Sequence, residues 1–190
     1  HGDLYEADFT QFKGFDLLLV STCCQSLSKC RIENKQVNNG LKGKSKIFFK
    51  AIECLKAIQP KYFMFENVIP SSDEDLKTMT ECIGVEPRLV NSALFSAQSR
   101  ERYYWTNIPL GELPEESPLV LKDVMENNVD EKYFYKKDFE IIDMNKRVCA
   151  ELKVNTMEMN RRIYNPDYKC CTITCVNGGY HIKSVMDHGR

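Results

Sequence analysis

The chain has 190 residues, of which 43% are hydrophobic and 28% charged, and its formal net charge is -1. This length is sufficient for a domain with its own core, and the composition is that of an ordinary globular protein. The near-neutral charge argues against a polycation that binds nucleic acid through its overall field, so any such contact must come from a local patch. The longest apolar runs, such as residues 15–20, are far too short to span a bilayer, and no signal peptide is visible.

The nine cysteines indicate reduced thiols rather than a disulfide framework. Their number is odd, several lie within apolar periodic segments, and no secretion signal accompanies them, so we expect a cytosolic protein. Cys170, Cys171 and Cys175 with His181 resemble a metal site only superficially. Their spacing does not match a zinc knuckle or ribbon, and we predict no metal.

The first half of the chain alternates short apolar runs with helical patterns. A buried strand is predicted at 16–20, followed by a long polar loop at 29–46 that contains an Asn-Asn-Gly turn signal. Helices are predicted at 47–58, ended by Pro60, and from Ser71–Ser72 to Gly84. Further strands are predicted at 61–66, 87–95 and 102–108.

This order predicts an α/β fold with a parallel or mostly parallel sheet, and functional groups then follow the carboxyl ends of its strands. Cys24 and Glu66 occupy such positions. After Pro109 the pattern changes to an acidic connector with a short helix near 119–126. A second, irregular subdomain is expected to start near residue 130, with β-structure at 168–183 around an Asn177-Gly178-Gly179 turn.

Cys24 follows a buried strand and opens a loop, where a thiol can be exposed and mobile enough to act as a nucleophile. The plainer interpretation is a small buried hydrophobe. Glu66 ends an apolar strand, where a carboxylate is costly unless it has partners, and such a group can carry a proton for acid catalysis. A solvated or salt-bridged Glu is the plainer alternative.

The segment Gln98-Ser99-Arg100-Glu101-Arg102 places two arginines two residues apart. If the segment is extended, both guanidinium groups lie on one face together with Gln98. Such a pair suits contacts with phosphate or base oxygens, although a solvated strand entry has the same pattern.

Three segments in order resemble the motifs of the cytosine-C5 DNA methyltransferases, especially phage and bacterial members. DLLLVSTCCQSLS resembles the family's Pro-Cys-Gln loop, FENV at 65–68 matches Glu-Asn-Val, and QSRER at 98–102 matches Gln-x-Arg-x-Arg. Gly2-Asp3-Leu4 looks like the Gly-Asp pair that precedes the loop strand. The resemblance covers about residues 1–133 and continues weakly beyond, where the Cys-Cys-Thr-Ile-Thr-Cys stretch resembles a Thr-rich run of phage members.

The resemblance implies a Rossmann-like methyltransferase sheet, incomplete at both ends, with a catalytic core at 1–130 and a partial, irregular β-containing target-recognition region at 131–190. It implies double-stranded DNA with a flipped cytosine as substrate and S-adenosyl-L-methionine as methyl donor. Cys24 would add to C6 of the cytosine, Glu66 would bind N3, Arg102 would hold O2, and Arg100 would support the loop or a phosphate. The remaining implied contacts are Gln25, Ser28 and Gln98 to DNA and Asp3 and Leu4 to the cofactor. The resemblance also implies a monomer without metal in the cytoplasm of a bacterial or phage-infected cell.

The loop before Cys24 departs from the family pattern. Two glycines followed by Pro or Ser-Pro are usual there, whereas this chain has Val20, Ser21, Thr22 and Cys23. The Gly-rich cofactor motif and the final helix of the family lie outside this sequence, and the chain starts without Met, so we expect either an excerpt or a processed protein. Two interpretations stay open beside an active fragment: a decayed paralogue that binds DNA or a partner without catalysis, and an RNA cytosine methyltransferase.

Overall fold

A computed structural model describes residues 2–28, 39–134, 137–156, 158–172 and 184–186. The chain divides into two compact units, the first formed by residues 1–90 and 101–112 and the second by residues 91–100 and 113–190. Each unit contains a four-stranded sheet. No helix in the described ranges is both long enough and apolar enough to cross a membrane.

The first unit is a mixed α/β structure. Its sheet has the order β1-β2-β4-β3, with β1 (Leu17–Ser21), β2 (Tyr62–Asn67), β3 (Pro87–Asn91) and β4 (Glu101–Thr106). Helix α1 (Ile47–Ile58) connects β1 to β2, and helix α2 (Asp73–Ile83) connects β2 to β3. Strand β1 pairs in parallel with β2, whereas β4 pairs with β2 in the antiparallel sense.

The sheet is therefore mixed: β4 runs antiparallel to β2, an orientation that the prediction of a parallel or mostly parallel sheet did not specify. Residues 92–100 separate β3 from β4, which is fewer than the dozen or so that a parallel crossover needs. The predicted strand at 87–95 also ends earlier, at Asn91. The Asn91 side chain accepts a hydrogen bond from the Ala93 amide and starts a 3₁₀ turn at Ser92–Leu94.

The helix boundaries follow from local capping. The Ser72 hydroxyl accepts a hydrogen bond from the Asp75 amide at the start of α2, and Gly84 ends that helix at φ +85°. Helix α1 ends at Ile58 and is capped by Gln59, which adopts the left-handed conformation directly before Pro60. Both helices bury apolar side chains against the sheet in one core. Its buried members are Leu27, Leu41, Phe48, Ala51, Ile52, Phe65, Met79, Ile83 and Trp105.

Part of the predicted loop at 29–46 is structured. Residues 29–38 lie outside the described ranges, but Gly40–Lys42 and Lys44–Lys46 form 3₁₀ turns. Leu41 is buried in the core of the first unit, and the buried Ser45 hydroxyl accepts a hydrogen bond from the Ser26 amide. The apolar Leu41 gives this stretch a packing anchor, which outweighs its polar composition.

The second unit is built on the sheet β5-β6-β7-β8. Its strands are β5 (Phe139–Ile141), β6 (Val148–Leu152), β7 (Arg162–Tyr164) and β8 (Ser184–Val185), and a short helix, α3 (Glu158–Arg161), precedes β7. The helix predicted at 119–126 is only a 3₁₀ turn, Leu121–Asp123. The turn predicted at 177–179 lies outside the described residues.

Candidate active site

The Glu66 carboxylate is held at both oxygens by side chains of the two neighbouring strands. The Ser21 hydroxyl donates to Oε2 at 2.5 Å, and the Arg102 Nε atom lies 3.1 Å from Oε1. The side chains of Arg102 and Glu66 are only 13% and 22% exposed, so solvent weakens this ion pair less than a surface pair. The carboxylate is therefore fixed in position and orientation.

Strand register explains this arrangement. Ser21 lies opposite Glu66 in the parallel pair, and Glu66 lies opposite Tyr104 in the antiparallel pair. Because side chains two residues apart on a strand point to the same face, Arg102 lies on the face of Tyr104 and Glu66. Phe65 and Asn67 point to the opposite face, and both are buried. The sheet thus separates the acid from the hydrophobic core.

Cys24 lies three residues beyond β1 in a hydrogen-bonded turn. Its carbonyl oxygen accepts from the amides of Leu27 and Ser28 at 3.0 and 3.1 Å, and Leu27 is fully buried in the core. The Cys24 side chain is half-buried, as is that of its neighbour Cys23, and both are free thiols. The buried Leu27 anchors a turn that leaves the Cys24 thiol partly accessible.

Asn67 connects this loop to β2. Its Nδ2 atom donates to the Thr22 hydroxyl at 3.1 Å and to the Thr22 carbonyl at 3.4 Å, and its Oδ1 atom accepts from the Val68 amide at 2.9 Å. Asn67 is only 2% exposed, so water cannot easily replace these partners. The residue directly after the acid therefore fixes the loop that carries the thiol.

The predicted DNA contacts Gln25 and Ser28 lie on the same turn as Cys24. Gln25 is exposed, whereas Ser28 is half-buried and forms a β-bridge with Pro70. The Ser71 amide donates to the Leu27 carbonyl at 2.9 Å and so attaches the turn to the segment after β2. Of these two residues, Gln25 is therefore the more accessible to a ligand.

The QSRER segment is divided between the two units. Arg102 belongs to β4 of the first unit, whereas Gln98 and Arg100 belong to the second. The Asn91 Oδ1 atom accepts from the Arg100 amide at 2.9 Å, and the Gln98 carbonyl accepts from the Ser92 hydroxyl at 2.7 Å. Gln98, Arg100 and Arg102 were expected to share one face of an extended strand. Because β4 begins only at Glu101, Arg102 is the only one of the three that lies on it.

The predicted cofactor residues Asp3 and Leu4 line a cavity of about 340 Å³ in the first unit. The other walls come mainly from the 3₁₀ turn at Phe9–Phe12, from Leu17 and Leu18 of β1 and from the end of α1. Burial raises the pKa of the Cys54 thiol, which also lines the cavity. The aromatic and aliphatic walls with one carboxylate fit the flat adenine ring of S-adenosylmethionine. Among the described lining residues none is a cation for the methionine carboxylate, so these residues fit only part of S-adenosylmethionine.

Within the described ranges, no group of three or more His, Cys, Asp or Glu side chains is placed to hold a metal ion. Cys175 and His181, which the sequence places near Cys170 and Cys171, lie outside those ranges.

Sequence reasoning missed three residues of this site. Ser21 and Thr22 stand out in the sequence only as departures from the family loop, yet each hydroxyl binds a β2 side chain, Glu66 and Asn67 respectively. The FENV motif includes Asn67, for which the sequence predicted no role. A polar residue at the buried end of an apolar strand was the available signal, because such a group needs a partner.

A partly accessible thiol on an anchored loop and an oriented carboxylate beside a guanidinium are groups that can combine nucleophilic attack with acid catalysis. The family model described as C-5 cytosine-specific DNA methylase matches residues 1–174. The chain therefore belongs to the C-5 cytosine-specific DNA methylase family.

Two phage proteins illustrate the similarity. The chain is 27% identical over 251 aligned residues to the orphan methyltransferase M.SPRI of Bacillus phage SPR, an alignment that covers all of this chain and 55% of that protein. It is 28% identical over 165 residues to the orphan methyltransferase M.Rho11sI of Bacillus phage rho11s, covering 82% of this chain and 29% of that protein. The chain thus spans about half the length, or less, of these relatives.

Proposed function

We propose that this chain carries the cytosine-activating residues of a DNA methyltransferase, which transfers a methyl group from S-adenosylmethionine to C5 of cytosine. The observation that carries the proposal is the pair of contacts that hold Glu66 between Ser21 and Arg102, directly beside the strand that leads to Cys24. Family membership supplies the reaction class, and these contacts suit the acid step of that reaction. The substrate is a cytosine turned out of the duplex, since its ring face is otherwise stacked.

Cys24 begins the reaction as a thiolate that adds to C6 of the ring. The S–C6 bond forms, the C5=C6 electron pair shifts into the ring, and aromaticity is lost. Glu66 donates a proton to N3, so that the ring's developing negative charge is neutralised and C5 becomes an enamine-type nucleophile. The cofactor supplies an electrophilic methyl group when it is bound. After C5 has gained the methyl group, a base removes the C5 proton, the C5=C6 bond re-forms as the S–C6 bond breaks, and Cys24 leaves as thiolate. N3 then returns its proton to Glu66, so the product is neutral and the acid is restored.

Ser21 and Arg102 keep the acid oriented through this cycle. A hydroxyl can donate to a carboxylate or accept from a carboxylic acid, so Ser21 can remain bound to Glu66 in both protonation states. Arg102 provides a fixed cation that orients the other oxygen, and the family resemblance assigns it the further task of binding O2 of the base. Gln25 would contact the DNA backbone, and Asp3 and Leu4 would hold the adenine part of the cofactor.

Covalent trapping tests this proposal. A protein containing this chain is incubated with S-adenosylmethionine and duplex DNA carrying 5-fluorocytosine, in which fluorine prevents the final elimination at C5. We expect an adduct that survives denaturing electrophoresis, its loss in Cys24→Ser, and its retention in the matched control Cys23→Ser. An adduct that persists in Cys24→Ser, or that disappears in Cys23→Ser instead, would show that Cys24 is not the nucleophile.

The same assay separates catalysis from binding alone. The replaced glycines and proline before Cys24 favour a second candidate, a family member that binds DNA without methylating it. That protein would shift duplex DNA in a gel and form no adduct. The proposal places the protein with its DNA in the cytoplasm of a bacterial or phage-infected cell.

A further inference from the structure

The ammonium group of Lys169, in the second unit, is enclosed by backbone carbonyls. Its Nζ atom donates to the carbonyl oxygens of Ser96, Ser117 and Leu119 at 3.0, 2.6 and 2.8 Å, and the side chain is only 12% exposed. An ammonium has three hydrogen atoms to donate, and three close acceptors use all of them. The carboxylate of Glu116 lies farther away, at 3.9 Å. This lysine is therefore committed to the protein's own backbone.

The acceptors belong to two segments that are far from Lys169 in sequence. Ser96 belongs to the loop that carries Gln98 and Arg100, and Ser117 and Leu119 belong to the connector after β4. The residue after the lysine reinforces the first attachment. The Cys170 amide donates to the Ala97 carbonyl at 2.8 Å, and the Cys170 carbonyl accepts from the Ser99 amide at 2.8 Å. Three hydrogen bonds thus attach residues 96–99 to residues 169–170.

We propose that Lys169 is a positioning residue that fixes the loop bearing Gln98 and Arg100 for its contact with DNA. The inference rests on the proposed function, because DNA is the ligand of that loop. Charge-assisted hydrogen bonds from an ammonium are stronger than neutral ones, so a single side chain can order both segments. Lys169 acts through the loop rather than on a phosphate, since its donors are already occupied.

The positioning is measured directly by amide hydrogen exchange on the whole chain. In Lys169→Met, which keeps the length of the side chain and removes the donors, we expect the Ser99 and Cys170 amides to exchange about tenfold faster or more. That factor corresponds to the loss of one charge-assisted hydrogen bond. Lys169→Arg, which retains donors, should restore most of the protection. Lys122→Met is the matched control, because Lys122 is an exposed lysine of the same unit whose Nζ atom donates to Asp167.

The DNA arm separates positioning from direct contact. Binding of a fluorescent duplex is titrated at several salt concentrations for the wild type and the three variants. We expect Lys169→Met to weaken binding about tenfold with an unchanged slope of log K against log salt, whereas loss of a phosphate contact lowers that slope by about 1. A lowered slope would reassign Lys169 to phosphate binding and overturn the inference.

Unchanged exchange at Ser99 and Cys170 in Lys169→Met would also overturn it, as would faster exchange with unchanged DNA affinity. If the wild-type chain does not bind DNA, that result counts against the proposed function. The amide exchange rates of the three variants then decide by themselves whether Lys169 holds the loop. If Lys169→Met does not fold, Lys169→Gln, which removes the charge and shortens the side chain but keeps an N–H donor, takes its place in the same comparison. Unchanged exchange at Ser99 and Cys170 in Lys169→Gln would overturn the inference.

Discussion

Asn67 offers the sharpest test of how the thiol loop is held. Asn67→Ala removes a 3.1 Å hydrogen bond to the Thr22 hydroxyl, a 2.9 Å bond from the Val68 amide and a longer 3.4 Å bond to the Thr22 carbonyl. Each ordinary hydrogen bond contributes about 1 kcal/mol, and a buried partner left without one costs about 1–3 kcal/mol. With Asn67 almost completely buried, we expect a loss of about 2–3 kcal/mol in the free energy of unfolding.

Asn107 provides a matched control at the other end of β2. Its side chain also binds two backbone groups of that strand region, the Phe63 amide at 2.8 Å and the Lys61 carbonyl at 2.9 Å, but the residue is exposed. Water can replace those bonds, so Asn107→Ala should cost at most about 1 kcal/mol. The two asparagines differ mainly in burial, so the difference between the two losses in the free energy of unfolding measures the effect of burial.

Urea unfolding followed by tryptophan fluorescence measures both losses, because Trp105 is buried in the core of this unit. With an m-value of about 1–3 kcal/mol per molar urea, the unfolding midpoint of Asn67→Ala should fall about 1 M below that of Asn107→Ala. Thr22→Val in combination with Asn67→Ala should be less than additive, since both remove the same bond. Equal midpoints for the two asparagine variants would refute the conclusion that burial makes the Asn67 contacts strong.

Three further outcomes follow from the site and from the second unit. Ser21→Ala should slow adduct formation with 5-fluorocytosine DNA by about tenfold, the loss expected for one hydrogen bond to a charged group. Ser21→Thr, which keeps the hydroxyl, should retain most of the rate. Equal rates in both variants would show that Ser21 does not orient Glu66. This chain alone should bind S-adenosylmethionine more weakly than micromolar, because the described residues of its cavity lining supply no cation for the methionine carboxylate. Calorimetry giving micromolar affinity would contradict this. Burial, together with a hydrogen bond to Cys171, raises the pKa of Tyr164 to about 12, so the phenol stays protonated in the folded protein. Its contribution to the free energy of unfolding is complete below about pH 10, the pKa of the unfolded chain, and is lost as the pH rises towards 12. The wild type should therefore lose up to about 2 kcal/mol more than Tyr164→Phe between pH 9.5 and 11.5, measured by urea unfolding, and parallel losses would refute the assignment.

Local patterns predicted the elements of the first unit well. The helical face at 47–58 gave the bounds of α1, and Ser72 and Gly84 cap α2 as their residue types indicate. The direction of β4 was not predictable from periodicity, because an apolar run does not reveal which strand it will pair with. Whether β4 runs parallel depends on the short connection at 92–100 and on pairing across the sheet.

The candidate site was predicted as a set of residues but not as a set of contacts. Glu66 and Arg102 were recognised through their motifs, and the structure brings them within 3.1 Å of each other. The roles of Ser21 and Asn67 depend on the register of β1 and β2, which pairs positions 45 residues apart. Such register is a tertiary property, so the sequence alone offered only the hint of a polar group at a buried strand end.

The pairing of Ser21 with Glu66 also affects how the chain can tolerate length changes during evolution. The spacing between the proposed nucleophile, Cys24, and the proposed acid, Glu66, depends on the register of two adjacent parallel strands, not on the length of chain that joins them. Insertions and deletions in the connection between β1 and β2 can therefore accumulate without changing the positions of Cys24 and Glu66 relative to each other. The loss of one residue within either strand would reverse every following side chain and turn Glu66 or Ser21 to the wrong face.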